Sequence, residues 1–258
     1  MRIALGIEYD GSGFSGWETQ ARGRTVQNVV EIALAEIATS PIQTVCAGRT
    51  DSGVHAYGQV VHFDTSAERP ETAWVLGTNT RLPGDVSIKW AKAVPDSFHA
   101  RYSAVSRCYH YWIKEGYSRS ALSRDRATFI PGVLNIQQMA TASKSLVGEY
   151  DFSAFRSSRC QSRTPWRTIH SIDVFRYGEM VKIKVVANAF LQHMVRNLVG
   201  SLVEVGKGRK SPCWLKETLL SKDRRCAGPT MAPNGLYLIE VAYPTDFQIP
   251  RLSDNGFL

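Results

Sequence analysis

The sequence is short of cysteine, of long apolar runs and of acidic residues, and each shortage excludes a class of protein. Its five cysteines are an odd number, lie far apart and form no C-x-x-C pair. That pattern argues against a disulfide framework and a zinc site and favours the reducing cytoplasm. No apolar run approaches the roughly 20 residues that span a bilayer. The first ten residues, MRIALGIEYD, include two acids and do not predict a signal peptide. We expect a globular, cytoplasmic protein.

The shortage of acids leaves a strongly basic chain. Lysine and arginine number 31 and aspartate and glutamate 23, which gives a net charge of +8, and 21 of the basic residues are arginine. Arginine is favoured where a planar donor must orient phosphates or base edges, although an arginine-biased genome gives the same composition. Arginines also cluster in residues 156–167, RSSRCQSRTPWR, which contain no acid. We therefore predict a polyanionic partner.

Strand and helix patterns alternate along the chain. Residues 3–9 alternate as a strand, and Thr25 caps a helix that Pro41 ends. Further patterns predict strands near 42–47 and at 57–65, 86–94, 106–114, 167–177, 180–188 and 235–243, and helices at 71–81, 135–147, 190–206 and 213–221. The order of elements is similar in two halves, 1–103 and 104–244, and residues 245–258 form a tail. We predict an α+β fold with a mainly antiparallel sheet and helices on one face.

A glycine motif and a pair of acids near the N-terminus have ordinary structural interpretations. Residues 11–16 satisfy G-x-G-x-x-G, but the next helix starts only at Thr25, so we do not expect a dinucleotide there. Glu8 and Asp10 share one face of a strand end, as in a metal-dependent nuclease, although a turn at Asp10-Gly11 explains them more simply. The six histidines show no metal-ligand spacing, so we expect no metal site.

The loop of residues 48–56, GRTDSGVHA, has the most unusual composition. It places Arg49, Asp51 and His55 between two apolar strands, with glycines that let the backbone approach a neighbour closely. Asp51 either bonds its own turn or acts on a nucleotide, and the loop alone favours neither interpretation.

Two further segments carry candidate residues. In CYHYWI, Tyr109 and Tyr111 lie on one face of a strand; one face of that strand is core, and the other could stack a base. In FLQHMVRNLVG, Arg196 lies off the apolar stripe of its helix, which fits either a solvated side chain or a functional one.

Several segments, taken in order, carry a resemblance to a known family. They are YDGSGFSGW, TVQNVVEIAL, the loop segment CAGRTDSGVHAYGQVVHF, the aromatic segment FHARYSAVSRCYHYWI, the basic segment DFSAFRSSRCQS, the helix FLQHMVRNLVGSLVEVGKG and the closing strand APNGLYLIEVAY. Together they cover nearly the whole chain and resemble the tRNA pseudouridine synthase A family. Two positions depart from its pattern: Glu18, where the family more often has Gln, and Cys108, where a basic residue is common.

The resemblance implies an isomerase that detaches uracil from a tRNA ribose, rotates it and rejoins it through carbon 5, without metal or cofactor. It implies that Asp51 attacks the sugar or acts through a glycal, and that Arg196 pairs with Asp51 and keeps it ionised. Arg49 is implied to fill the space that the flipped uridine leaves, and Tyr109 to stack on the extruded base and take part in proton transfer. Further substrate contacts are assigned to His55, Arg156, Arg159 and Arg163.

The resemblance also implies an architecture and a partner. The two halves are expected to be related by a pseudo-two-fold axis, to share a continuous sheet and to form an active-site cleft between them. The partner is the anticodon stem-loop of tRNA at nucleotides 38 to 40, bound by a homodimer, with no membrane involved. Two other functions stay open: a non-catalytic RNA-binding protein, and the metal-dependent nuclease that would use Glu8 and Asp10.

Overall fold

The computed structural model describes residues 1–252, which form two compact units. Unit 1 is Met1–Arg107 together with residues 237–252, and unit 2 is Cys108–Leu236. The fold is α+β, with several helices and a mixed, mostly antiparallel open sheet, as the sequence predicts. Among the described residues, no helix is long and apolar enough to cross a membrane. The domain limits inferred from the sequence remain a prediction, and the end of the predicted tail, 253–258, lies outside the described residues.

Within residues 1–252, the regular structure consists of ten strands and four α-helices. The strands are β1 (Arg2–Tyr9), β2 (Val45–Cys46), β3 (His55–Asp64), β4 (Val86–Val94), β5 (Ser106–Gly116), β6 (Thr128–Pro131), β7 (Gly148–Asp151), β8 (Trp166–Tyr177), β9 (Met180–Ala187) and β10 (Leu236–Ala242). The helices are α1 (Val26–Ala38), α2 (Ile136–Ser143), α3 (Met194–Gly206) and α4 (Pro212–Ser221).

Strand β1 is the centre of the sheet in unit 1. It pairs antiparallel with β3 on one side and with β4 on the other, so that Ile3 lies opposite both Phe63 and Ala93. Strand β10 continues this sheet parallel to β3, and the short β2 pairs with β3. Ala4 and Leu5 of β1 are both fully buried although they point to opposite faces, so both faces of this strand are covered.

Unit 2 is built on the hairpin of β8 and β9. The two strands are antiparallel and are joined by a tight turn, which the sequence places correctly at Gly178 with its φ of +58°. Strand β7 pairs with the far edge of β8, β5 lies beside β9, and β6 pairs parallel with β5. Helix α2 packs against β8, α3 and α4. At Gly206 of α3, a Cβ atom would approach the Met139 sulfur to 2.6 Å, so glycine permits the close contact with α2.

The structure corrects several predicted elements. Thr25 occupies the N-cap position of α1, but its buried hydroxyl has no hydrogen-bond partner, so it does not cap the helix through its side chain. The helix predicted at 71–81 is present at 71–79, but its central turn, Ala73–Gly77, is π-helical. Helix α2 ends at Ser143 and a 3-10 turn follows, and α3 begins at Met194, four residues later than predicted. The sequence did not predict β6 and β7, because strands of four residues are too short for a periodic signal.

A buried histidine makes the stability of unit 1 depend on pH. His62 is 4% exposed, and its Nδ1 accepts the Ala100 N–H over 3.1 Å. Burial, followed by the nearby Arg2 guanidinium, lowers the pKa of His62 from 6.5 to about 4. The unfolded chain therefore binds a proton at a higher pH than the folded protein does. The stabilisation is complete above pH 6.5 and is lost as the pH falls towards 4.

We expect the free energy of unfolding to fall by roughly 2–3 kcal/mol across that window because of His62 alone, from about 1.4 kcal/mol per pKa unit. Urea unfolding at a series of pH values measures it. In His62→Gln, whose side-chain oxygen can accept the Ala100 bond without titrating, the decline should be shallower. An identical pH slope in the variant would show that His62 is not the group responsible.

Candidate active site

The loop that carries Asp51 is fixed in place through Thr50. The Thr50 carbonyl accepts the Trp17 N–H over 3.0 Å, and its buried hydroxyl lies 2.7 Å from the Tyr9 hydroxyl. Trp17 and Tyr9 are themselves core residues, 1% and 3% exposed, with ring centroids 5.9 Å apart. The backbone directly before Asp51 is therefore anchored to two buried aromatic residues.

The backbone after Asp51 is equally constrained. The Val54 N–H donates to the Asp51 carbonyl over 3.1 Å and closes a turn, in which Gly53 takes a φ of +78°. The Phe14 carbonyl accepts both the Gly53 N–H, over 3.3 Å, and the Ser52 hydroxyl, over 3.1 Å. Asp51 is half-buried within this turn. Its carboxylate is thus presented by a rigid backbone, as a site for precise chemistry requires.

The glycine motif at 11–16 serves this packing. A Cβ atom at Gly11 would lie 2.0 Å from the Val54 carbonyl oxygen, and one at Gly16 would lie 2.9 Å from that of Thr50. Gly16 also has a φ of +108°, which other residues rarely adopt. The only helix that opens within the motif is a 3-10 turn of three residues, Gly11–Gly13, unlike the helix of a dinucleotide site.

His55 lies in the interior of unit 1. It is 2% exposed, its Nδ1 accepts the Gly11 N–H over 3.1 Å, and its ring stacks on Tyr237 with centroids 4.5 Å apart. These contacts tie the end of the Asp51 loop to the first loop and to β10. Direct contact of His55 with substrate stays a prediction from the sequence.

Arg49 is exposed and forms an ion pair that the sequence did not predict. Its Nη2 lies 2.5 Å from an Oε of Glu18, and both side chains are about half exposed. Glu18 is the residue at which the first loop departs from the pattern of the resembled family. In this chain, the arginine two positions before Asp51 is therefore held by a carboxylate from the neighbouring loop.

The candidate residues of unit 2 lie in its core or at its edge. Tyr109 is 9% exposed and meets Phe190 edge to face, with centroids 5.0 Å apart. The sequence predicts one face of this strand as core, and the structure buries both faces, since Cys108, His110 and Trp112 are buried as well. A strand with neighbours on both edges and cover on both faces buries all its side chains.

Arg196 lies in the first turn of α3 and is half-buried. Its Nε donates to the Met231 carbonyl over 2.7 Å, and the Met231 N–H returns a bond of 3.3 Å to the Arg196 carbonyl. Burial raises the pKa of Tyr111, whereas its hydrogen bond with Thr128 and, to a smaller extent, the positive charge of Arg196 act to lower it. The bond to Met231 fixes the direction of the guanidinium.

The arginines of the basic segment fall into two groups. Arg159 and Arg163 are exposed. Arg156 is half-buried and donates to the carbonyls of Cys160 and Ser162 over 2.7 and 2.8 Å, so it organises the segment around itself. Buried Arg167 adds a bond of 2.6 Å to the Ser162 hydroxyl. Sequence reasoning treated Arg156, Arg159 and Arg163 as equivalent, but only the last two extend into solvent.

The acids of the nuclease hypothesis have separate partners. Glu8 pairs with Lys89 over 2.7 Å, and Asp10 accepts the Ser12 N–H over 3.0 Å. Within residues 1–252, no group of three or more histidine, cysteine, aspartate or glutamate side chains could hold a metal ion. These contacts favour structural functions for both acids.

Sequence reasoning missed a polar network in unit 2. The fully buried Asn197 accepts bonds from the Thr230 hydroxyl, over 2.6 Å, and from Arg224, over 3.1 Å, and it donates to the Phe155 carbonyl over 2.8 Å. The available signal was the basic run at residues 222–225, KDRR, which the helix and strand patterns on either side obscured.

Comparison with known proteins identifies the class. Residues 6–103 and 142–244 match the family model described as tRNA pseudouridine synthase. The chain is 51% identical to tRNA pseudouridine synthase A of Paraburkholderia xenovorans (strain LB400), covering 96% of this chain and 92% of the relative. It is 51% identical to the protein of that name from Shewanella sp. (strain MR-4), covering 98% and 97%. The chain belongs to the tRNA pseudouridine synthase family.

Among solved structures, a Cbf5-Nop10-Gar1 complex matches with a TM-score of 0.34 and 9% identity, covering 78% of this chain and 54% of that one. A match this distant supports no inference about the fold or the site.

Replacing Glu18 should release Arg49. Exposed ion pairs contribute about 0–1 kcal/mol, and Glu18→Gln also removes a negative charge from the loop beside Asp51. We expect tRNA to bind Glu18→Gln roughly two- to fivefold more tightly. Filter binding or fluorescence anisotropy measures the change. Glu36→Gln is the matched control, because Glu36 forms an equally exposed pair with Arg81. Equal effects of the two variants would contradict the assignment.

The two groups of arginines should respond differently to substitution. Arg159→Gln with Arg163→Gln removes two exposed charges, so tRNA binding should weaken and its log–log salt slope should fall by up to about 2 units. Thermal unfolding of that variant should match the wild type. Arg156→Gln should lower the unfolding temperature, because two carbonyls lose their donor. An unchanged salt slope in the double variant would exclude these arginines from the RNA interface.

Proposed function

We propose that this enzyme, a tRNA uridine isomerase by its family, acts on the anticodon stem-loop at nucleotides 38 to 40 with Asp51 as its catalytic carboxylate. The observation that carries the proposal is the constraint on the Asp51 turn, which is anchored on both sides by the first loop. An ordinary surface turn does not need so many hydrogen bonds to fix its backbone. A carboxylate needs them when it must meet one sugar carbon within a fraction of an ångström.

The reaction needs no atom from a co-reactant. The bond from the ribose C1′ to uracil N1 breaks, the base rotates, and a bond from C1′ to C5 forms. The C5 proton is then lost and N1 gains one, so atoms and charge balance without oxidation. Asp51 serves either by attacking C1′ or by abstracting a sugar proton to give a glycal. Both routes require its ionised form.

Arg196 and Tyr109 are proposed to act on the same uridine. Arg196 would supply the positive charge that keeps Asp51 ionised, and its bond to Met231 supports this function by restricting its orientation. Tyr109 would stack on the extruded base. Its burial against Phe190 means that the free protein already holds the ring in one orientation.

Base flipping gives the exposed arginines a function. Extruding a base costs roughly a few kcal/mol of stacking, which contacts elsewhere must offset. Arg49 is proposed to fill the space that the base leaves, after exchanging its partner Glu18 for RNA. Arg159 and Arg163 are proposed to hold phosphates, and His55 to contact substrate or support the loop that does.

The remaining features come from the family resemblance. A homodimer, a cytoplasmic location, a pseudo-two-fold relation of the two halves and a cleft between them are part of the proposal. A non-catalytic RNA-binding protein would need none of the constraint on Asp51, and for that reason catalysis is favoured.

The decisive substitution is Asp51→Asn. The turn is closed by a backbone bond, which an asparagine side chain leaves in place. We expect turnover to fall by at least about 10³-fold, with tRNA affinity retained within about tenfold, because phosphate contacts dominate binding. Release of tritium from tRNA labelled at uridine C5 measures turnover.

Glu8→Gln serves as the control, since it removes a carboxylate of the nuclease hypothesis. It should turn over normally, and gel electrophoresis should show intact tRNA with either protein. Near-normal tritium release by Asp51→Asn would overturn the catalytic assignment. Strand cleavage that Glu8→Gln abolishes would instead support the nuclease.

A further inference from the structure

Unit 2 contains a cavity of about 610 Å³ that none of the candidate catalytic residues lines. Its wall includes four cationic side chains and one carboxylate, Asp223, together with three serines. The cations are Arg156, Lys222, Arg224 and Arg225. Arg156 belongs to the basic segment, and the other three cations belong to the basic run at residues 222–225.

Two of the four cations have carboxylate partners. Arg225 binds both oxygens of Asp223, since its Nε lies 3.1 Å from Oδ1 and its Nη2 lies 2.6 Å from Oδ2. Lys222 lies 3.5 Å from an oxygen of Asp151. Within each of these ion pairs, the positive and the negative charge cancel. The net positive charge of the cavity therefore comes from Arg156 and Arg224.

Arg156 and Arg224 are held by neutral acceptors instead. Arg156 donates to two backbone carbonyls, and Arg224 donates to the Asn197 amide oxygen and to the Thr230 hydroxyl. Within residues 1–252, neither guanidinium pairs with a carboxylate. Burial is the cause that lowers the pKa of Arg224, with no compensating charge beside it.

A partly buried charge that is hydrogen-bonded but not neutralised is costly for a protein to keep. An anion that binds beside the guanidinium compensates this unfavourable free energy. Because carbonyl, amide and hydroxyl groups already fix both guanidiniums, little side-chain entropy remains to be lost on binding. His193, the N-cap residue of α3, also lines the cavity, so the positive end of that helix dipole adds to the attraction.

We propose that this cavity binds a phosphate group of the tRNA backbone, at a position other than the nucleotide that is isomerised. The inference rests on the proposed function for the identity of the ligand, since the charge of the cavity favours a phosphate but does not indicate which molecule carries it. It assigns a binding function to Arg224, and it gives Arg156 a second function beside its structural one.

Ser158 offers a test that removes no contact of the fold. It is exposed and lines the cavity. Ser158→Glu places a carboxylate among the cations, and Ser158→Gln is its neutral control of the same size. We expect Ser158→Glu to bind tRNA roughly tenfold more weakly than Ser158→Gln, with a log–log salt slope smaller by about 0.9. Equal affinity of the two variants would overturn the proposal.

Arg224→Gln gives the complementary measurement. It should weaken tRNA binding by about tenfold at low salt, whereas Arg209→Gln, an exposed arginine outside the cavity, should not. Thermal unfolding shows whether Arg224→Gln is folded. If Arg224→Gln is not folded, the comparison of Ser158→Glu with Ser158→Gln tests the proposal by itself.

Inorganic phosphate separates the two sources of the ligand. If phosphate raises the unfolding temperature of the wild type while Ser158→Glu still binds tRNA normally, the cavity takes free phosphate and the assignment to tRNA is wrong. Pseudouridine formation by the wild type is measured in parallel. Its absence, with the Ser158 effect present, would refute the proposed function and leave the phosphate site standing.

Discussion

The close packing of the first loop on the Asp51 loop is the contact on which the proposed chemistry depends. Gly11 and Gly16 let the two backbones approach to a distance that a Cβ atom would block. At that distance the Thr50 carbonyl accepts the Trp17 N–H, and the Phe14 carbonyl accepts the Gly53 N–H and the Ser52 hydroxyl. These bonds lie on both sides of Asp51 and fix its backbone. A substitution at either glycine would separate the loops and displace the carboxylate without altering any proposed catalytic group.

The partners of the arginines indicate their functions better than their number does. Arg2 and Arg24 form charge-neutralising pairs with Asp64 and Asp85 and so have structural functions. Arg156 and Arg224 are bound by neutral groups and keep their charge for a ligand. Arg49 is an intermediate case, because its partner Glu18 is exposed and is exchanged at little cost. A net charge of +8 predicts a polyanion but does not distinguish these groups.

Much of the fold could be predicted from the sequence, since long apolar patterns mark β1, β3, β4, β8 and β9 directly. Short strands such as β6 and β7 could not, because four residues carry no period. For β5, the sequence predicts one core face and another that could stack a base, but it does not predict that both faces are buried, because the burial of a strand depends on its tertiary neighbours as well as on its own alternation.

For the site, the motifs identified the Asp51 loop, but the residues that hold it were beyond sequence reasoning. Glu18 and Arg49 are 31 positions apart, so only the folded chain brings them together. The same holds in the polar network of unit 2, where Asn197 and Arg224 are 27 positions apart. The glycine motif illustrates the same limit. Its sequence matches a nucleotide fingerprint, whereas its contacts show a loop that packs on another loop.

The most direct test of the central claim is to map pseudouridine in one purified tRNA transcript after incubation with this protein. Carbodiimide modification followed by primer extension locates the modified nucleotide. We predict pseudouridine at uridines among nucleotides 38 to 40 and unmodified uridine elsewhere. A transcript with uridine in that stretch that remains unmodified there, or is modified only outside it, would contradict the proposed function.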